Sequence, residues 1–396
     1  MKIQLLCLLL VCVNTVSIHA NYWTQKADFG GVPRADATGF SIGNKGYIGT
    51  GYTGTYSTDW WEYDRATNTW TQKANYGGSG LVESVSFTIG YKGYILAAPS
   101  TSDFWEFDPV ANTWTQKAVF PGMTRQAAVA FSIDGRGYVT TGSGSTLLND
   151  MWEYNPSTNS WLGKASLPGV GRMYATGFAI GGKGYVGTGT AGLSGLLSEF
   201  WQYDPVADSW LQKANFPGGP RQEATGIAIG NFGYLGLGSS QGTYLFDWYQ
   251  YDPTNDSWTL KAPFLGGPTE EASQFVIGTS GFVGTGYNGI ASGVMKKDFW
   301  EYRPDSTTSI SEISVPEAQI IMNASNASLT VNFENISNLP VSLQMFDASG
   351  KLVTEFKDAK FPLVISTAGF SDGIYLLTAN SNRSNIWSKK ILVKNL

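Results

Sequence analysis

Trp23–Ala27 reads WTQKA, and the block returns at 70–74 and 114–118, then as WLGKA at 161–165, WLQKA at 210–214 and WTLKA at 258–262. Successive tryptophans stand 47, 44, 47, 49 and 48 residues apart. That period fits one four-stranded sheet per repeat, because a sheet apolar on both faces cannot cover itself and must lean on its neighbours. Nine residues before each tryptophan from Trp70 onward lies a second block: DWWEYD around Trp61, DFWEFD around Trp105, DMWEYN around Trp152, EFWQYD around Trp201 and DWYQYD around Tyr249. A sixth copy, DFWEYR around Trp300, has no tryptophan block after it.

These aromatic blocks read as the third strand of each sheet. DPVANTW and DPTNDSW read as tight turns into the fourth, with Asp and Pro where a type I turn favours them. Upstream, ATGFSIGNKGYIGTG (37–51) and its five counterparts, ending with SQFVIGTSGFVGTG (273–286), supply the two inner strands, which end in small residues where strands crowd an axis. The first tryptophan block precedes any complete blade. It is therefore expected to complete the last one, beside the strand of Trp300, and so remove an open sheet edge.

Composition agrees with an all-β chain: 48 glycines, many aromatics and only 14% charged residues among 396. Residues 1–20 combine Lys2, an apolar run from Ile3 to Val13 and a polar stretch ending at Ala20, the layout of a secretory signal. That run is too short to span a bilayer, and no transmembrane segment is expected in the mature chain. Cys7, Cys12 and His19 all fall inside the leader, so the mature chain is expected to lack both residue types. This excludes disulfides, thiolate or imidazole relays, and Cys/His metal sites. No metal or cofactor is expected. Without Lys2, 25 basic residues face 31 acidic ones with no basic run, which argues against a nucleic-acid partner.

The unit of an Arg, a Tyr thirteen residues on before small residues, an aromatic WxYD block and a Trp after a short turn resembles the kelch repeat over residues 21–304. The usual Gly-Gly pair reads mostly Thr-Gly here. The resemblance implies a six-bladed kelch-type β-propeller closed by its N-terminal strand, with ligands held at the channel mouth. It places Arg34, Arg125, Arg172 and Arg221 there, with Leu81 and Thr269 in the two departing blades, and Asp36, Glu83, Glu223 and Glu271 two residues further on. Guanidinium forks mixed with carboxylates would clasp a carboxylate or a sugar's hydroxyls. The alternative is that each arginine ties neighbouring blades together through backbone carbonyls. The connections at 52–58, 99–102, 143–149, 190–198, 239–246 and 288–297 vary in length, and Tyr52, Tyr56, Tyr244 and Tyr287 in or beside them could stack on sugar rings.

Copper oxidases of the kelch class need Cys and His and are excluded. A sialic-acid-epimerase-like or mutarotase activity would draw on Glu83, Glu223 or Glu271 with Arg221. The first expectation is a non-catalytic module that binds a glycan or protein ligand; a structural surface component is a third reading. After a polar linker at 305–315, residues 316–396 read as a small Ig-like β-sandwich. Its FDASGKLV (346–353), DGIYLL (372–377) and KKILVK (389–394) resemble the type IX secretion system sorting domain of Bacteroidota, without the usual Pro-Asn-Pro opening. The resemblance implies that the outer-membrane secretion machinery is a partner and that the protein works outside the cell or on its surface.

Overall fold

The computed structural model describes residues 23–97, 101–289, 294–304, 318–323, 328–333, 341–347, 352–360, 362–381 and 384–393. The expected leader and linker lie outside them. The chain divides into two compact units, Met1–Asp305 and Ser306–Leu396.

The first unit is a β-propeller of six four-stranded antiparallel sheets. In blade 1 the strands Thr38–Ile42, Lys45–Gly49, Trp60–Asp64 and Thr69–Lys73 follow one another outward from the axis. Blades 2 to 5 repeat this order from inner strands Val85–Ile89, Val129–Ile133, Thr176–Ile180 and Thr225–Ile229. Blade 6 has three strands of its own, Ser273–Ile277, Ser280–Gly284 and Phe299–Tyr302. Its fourth is β1 (Trp23–Gln25), with Trp23 opposite Tyr302 and Gln25 opposite Trp300. The inner strands touch in a closed cycle, blade 6 against blade 1.

Two recurring contacts explain the repeat's fixed letters. The glycine at the second position of each second strand lies under a side chain from the preceding blade: Phe275 on Gly46, Phe40 on Gly93, Phe87 on Gly137, Phe131 on Gly184, Phe178 on Gly233 and Ile227 on Gly281. A β-carbon at any of these glycines would overlap that side chain, so the sheets could not close to packing distance. At the rim, each outer tryptophan donates its indole N–H to the alanine carbonyl that ends the preceding blade's block. The pairs are Trp70 to Ala27, Trp114 to Ala74, Trp161 to Ala118, Trp210 to Ala165, Trp258 to Ala214 and Trp23 to Ala262, at 2.8–3.3 Å. WxxKA thus carries a donor at one end and the acceptor for the next blade at the other. Asn68, Asn112 and Asn159, with Asp208 and Asp256, also accept the alanines' backbone N–H groups.

The block tryptophans are half-buried in five blades, because the outermost strand shows one face to water. Trp23 alone is fully buried, wedged among Trp248, Phe264 and Tyr302. The closing blade also has its own electrostatics. Elsewhere a second-strand tyrosine hydroxyl meets a Glu or Gln on the third strand, as in Tyr47 with Glu62. In blade 6 the tyrosine is Phe282, and the buried Glu301 instead takes Arg65, Arg303 and, from the end of the closing block, Lys26. Against the burial that would raise it, the hydrogen bonds and charges of Arg303, Ser280 and Arg65 hold its carboxyl down to about 2.

The second unit packs the three-stranded sheet of Ala318–Asn323, Ser328–Phe333 and Leu363–Ser366 with the four-stranded sheet of Leu352–Phe356, Val341–Phe346, Gly373–Ser381 and Ser384–Val393. Leu329, Val331 and Ile365 of the first meet Leu343, Met345, Leu377 and Ile391 of the second in one core. Alternate residues of each strand face inward, which makes a β-sandwich.

Trp23→Ala removes a buried wedge and one bond of the ring, and is expected to cost about 3–5 kcal/mol. Deleting 21–27 goes further and should broaden or split the propeller's unfolding transition in calorimetry. A transition as sharp and as high as the parent's would mean that β1 does not hold the ring shut.

Candidate functional site

Each blade enters its inner strand through three residues: Arg34-Ala35-Asp36, Leu81-Val82-Glu83, Arg125-Gln126-Ala127, Arg172-Met173-Tyr174, Arg221-Gln222-Glu223 and Thr269-Glu270-Glu271. The third residue of every triplet holds a left-handed backbone, with φ between 52° and 57°, and none is glycine. Such a conformation costs on the order of 1–3 kcal/mol per non-glycine residue, so six copies need support from the surrounding structure. Part of that support is visible: Ala127 N–H donates to Glu83 O, Tyr174 N–H to Ala127 O and Glu223 N–H to Tyr174 O, a chain of backbone bonds running around the channel.

The left-handed turn divides the triplet. Its third residues Asp36, Glu83, Ala127, Tyr174, Glu223 and Glu271 line one cavity of about 190 Å3, floored by the first residues of the inner strands. The first residues point into the wall, and here the expectation of arginines in the mouth is corrected. Arg34, Arg125, Arg172 and Arg221 are 0–2% exposed and do not line the cavity. Arg34 pairs with Asp59 through two bonds of 2.6 and 2.7 Å, donates to Thr50 O and lies over the Phe29 ring. Arg125 repeats this with Asp150, Thr141 and Phe120, and Arg221 with Asp247, Leu237 and Phe216. Arg172 pairs with Glu199 at 2.7 Å. A buried guanidinium needs a carboxylate and several acceptors; each arginine has its carboxylate, while the Nε atoms of Arg172 and Arg221 are buried without a partner among the described residues.

The two departing blades fill the same place differently. In blade 6, Lys296 reaches from the long connection to donate to Thr269 Oγ1 at 2.8 Å and Gly266 O at 2.7 Å, pairs with Asp298 and lies near the Phe264 ring. In blade 2, beside Leu81, Tyr76 takes the position that Phe29 holds in blade 1; its hydroxyl and the Trp105 indole N–H are buried without a partner among the described residues.

With the guanidiniums held in the wall, no lysine or arginine among the described residues lines the cavity. Burial, followed by the charges of Glu271, Glu83 and Glu270, pushes Asp36 up to about 8. Burial with Glu270 and Glu83 brings Glu271 to about 7. Glu223 is raised further still, by burial and by its hydrogen bond to Glu270. Glu83 is raised by burial and partly relieved by the Tyr174 hydroxyl, which donates to its Oε1 at 2.8 Å. The carboxyls of Glu223, Glu270 and Glu271 bring one oxygen each within 4.8 Å of one another. Such a cluster can share protons across hydrogen bonds. Three oxygens alone make half or less of a calcium shell.

The mouth thus gathers all four expected carboxylates. The sequence reading missed Tyr174 and Ala127, although counting two residues on from Arg172 and Arg125 reaches both. It also missed Glu270, which is buried beside Glu271 and whose backbone pairs with Tyr287. Any acid-base scheme that needs Arg221 beside Glu223 in the cavity loses that partner.

A carboxyl whose folded pKa lies above its unfolded value near 4 destabilises the fold as pH rises, because the unfolded chain releases the proton first. Propeller stability should therefore fall from about pH 4 to about pH 8. The triple variant Asp36→Asn/Glu223→Gln/Glu271→Gln should match the parent at pH 4 and melt about 2–4 °C or more higher at pH 8. Equal melting at both pH values would show that the mouth carboxyls ionise normally. Arg221→Ala, which strands Asp247, should cost about 3 kcal/mol in denaturant unfolding.

Comparison with known proteins adds two findings. The solved structure titled "Structure of YjhT", a propeller, aligns at a TM-score of 0.60 with 17% identity, over 69% of this chain and 95% of that one. At that identity the likeness speaks for the fold alone. No curated protein matches the chain. Among the described residues no helix is long and apolar enough to cross a membrane. Residues 323–394 match the secretion system C-terminal sorting domain, so the chain carries a type IX export signal that directs it to the cell surface or beyond.

Proposed function

We propose that this exported propeller is a binding module whose channel mouth takes a neutral, hydroxyl-rich ligand, a glycan terminus. The observation that carries this reading is a cavity lined by Asp36, Glu83, Glu223 and Glu271 with no cation among them. An anionic ligand would meet carboxyls and no guanidinium. A neutral sugar meets groups that both donate and accept, since a protonated carboxyl carries one O–H and a carbonyl oxygen. The volume, enough for roughly six waters at liquid density, is on the scale of a single sugar ring. Tyr174 on one wall adds the amphipathic surface such ligands use.

The kelch resemblance supports the same location for a ligand. The proposed leader at 1–20 and the C-terminal sorting domain would deliver the module where surface glycans are met. Catalysis is the weaker reading, because the arginine it called on is tied into the wall.

A glycan array probed with the full chain at pH 6 should show binding to neutral glycans over sialylated or uronic-acid ones, without product formation. Glu223→Gln should change affinity by about tenfold, and raising the pH from 6 to 9 should weaken binding as the carboxyls ionise. A preference for acidic glycans, or binding indifferent to both changes, would overturn the reading.

A further inference from the structure

The rim of the mouth is uneven. In every blade the second and third strands are joined by a connection whose base is closed by one backbone bond: Thr50 N–H to Asp59 O, Ala97 to Asp103, Thr141 to Asp150, Thr188 to Glu199, Leu237 to Asp247 and Thr285 to Asp298. Those bonds enclose 8, 5, 8, 10, 9 and 12 residues. The five longer connections each form a small hairpin, with Tyr52 bridging Tyr56, Ser143 bridging Leu147, Thr190 bridging Leu196, Ser239 pairing with Tyr244 and Tyr287 with Met295. Blade 2's connection, with five residues, is shorter by three to seven. At about 3.3 Å per residue over two arms, a chain of that length can reach roughly 5–12 Å less far from its base than the others.

The hairpin just before this gap carries the most exposed tyrosines of the rim. Tyr52 is 39% exposed and Tyr56 55%, and their rings meet edge to face at 6.1 Å. Tyr52 is bridged to Ala35, next to Asp36; Ser57 is bridged to Leu81, two residues before Glu83, and Tyr56 packs on Gly80. The pair therefore stands over the stretch of cavity wall between Asp36 and Glu83, beside the shortest connection. Tyr244 and Tyr287, by contrast, are partly buried against each other over Glu270, as part of the raised wall.

Building on the glycan reading above, we propose that the cavity holds one terminal unit of an unbranched glycan and that the rest of the chain leaves over blade 2, with its second unit against Tyr56. The cavity has room for about one ring, so a chain must leave somewhere, and five of the six directions are walled by hairpins. Tyr56 offers an apolar face to the C–H side of a pyranose where the chain would cross. The neighbouring carboxyls select a neutral chain over an anionic one.

The test uses the full chain, calorimetric titration and three neutral series: cellulose, maltose and chitin oligosaccharides of one to six units. In the series that binds, affinity should rise about tenfold from one unit to two or three and then level off. Tyr56→Ala should remove that gain while leaving monosaccharide affinity within about twofold. Replacing residues 98–102 with the eight residues of blade 3's connection (142–149) should do the same by walling the exit. If that graft fails to fold, Tyr56→Ala alone decides. Equal affinity for one unit and six, or a length gain that survives Tyr56→Ala, overturns the exit over blade 2 while leaving the cavity reading intact. Failure of every sugar to bind overturns the cavity reading and this proposal with it.

Discussion

Six indole N–H groups reaching six alanine carbonyls make the outer hoop of this molecule, and the hoop is complete because Trp23 bonds Ala262. Each bond is worth only about 1 kcal/mol net. Its importance is geometric: it fixes where each outer strand stands against its neighbour, while the inner side is fixed by a Phe or Ile resting on a glycine. With both radii set, the blades have one spacing, and the six left-handed residues of the mouth are forced onto one circle. A ring missing its clasp would leave blade 6 one strand short and Trp248, Phe264 and Tyr302 without their wedge.

Rigidity at the wall is what permits the electrostatics of the mouth. The arginines, which could have neutralised the carboxyls, are committed to Asp59, Asp150, Glu199 and Asp247, and to carbonyls sixteen residues further along the chain. Buried fork pairs of this kind are costly to break, so they do not swing out to meet a ligand. Asp36, Glu223 and Glu271 are consequently left with each other and with protons. Like charge is gathered in one small opening, as expected where a protein keeps its binding chemistry.

Much of this is written in the chain. The spacing of the tryptophans sets the blade count, and the unpartnered DFWEYR around Trp300 sets the closure. The register two residues beyond each arginine leads to the mouth, and reaches Tyr174 and Ala127 as surely as Glu83. What the letters do not carry is backbone handedness. Whether the first or the third residue of a triplet faces the axis depends on a positive φ at the third, and at Glu83, Ala127, Tyr174, Glu223 and Glu271 local propensity gives no warning of it. Lys296 was illegible for another reason: it replaces a missing arginine from a connection of variable length, at no fixed distance from Thr269. Glu270 was hidden by its neighbour, since adjacent residues around a turn exchange wall for cavity.

The most direct measurement is a titration of the propeller's Asp and Glu carboxyl carbons by NMR, with Asp36→Asn, Glu223→Gln and Glu271→Gln assigning the signals. A mouth of uncompensated buried carboxyls requires these three to titrate at or above about pH 7, apart from the remaining acids of the propeller. Ordinary titration of all three near pH 4 would mean that the mouth is open to solvent or neutralised by a cation, and would contradict the account.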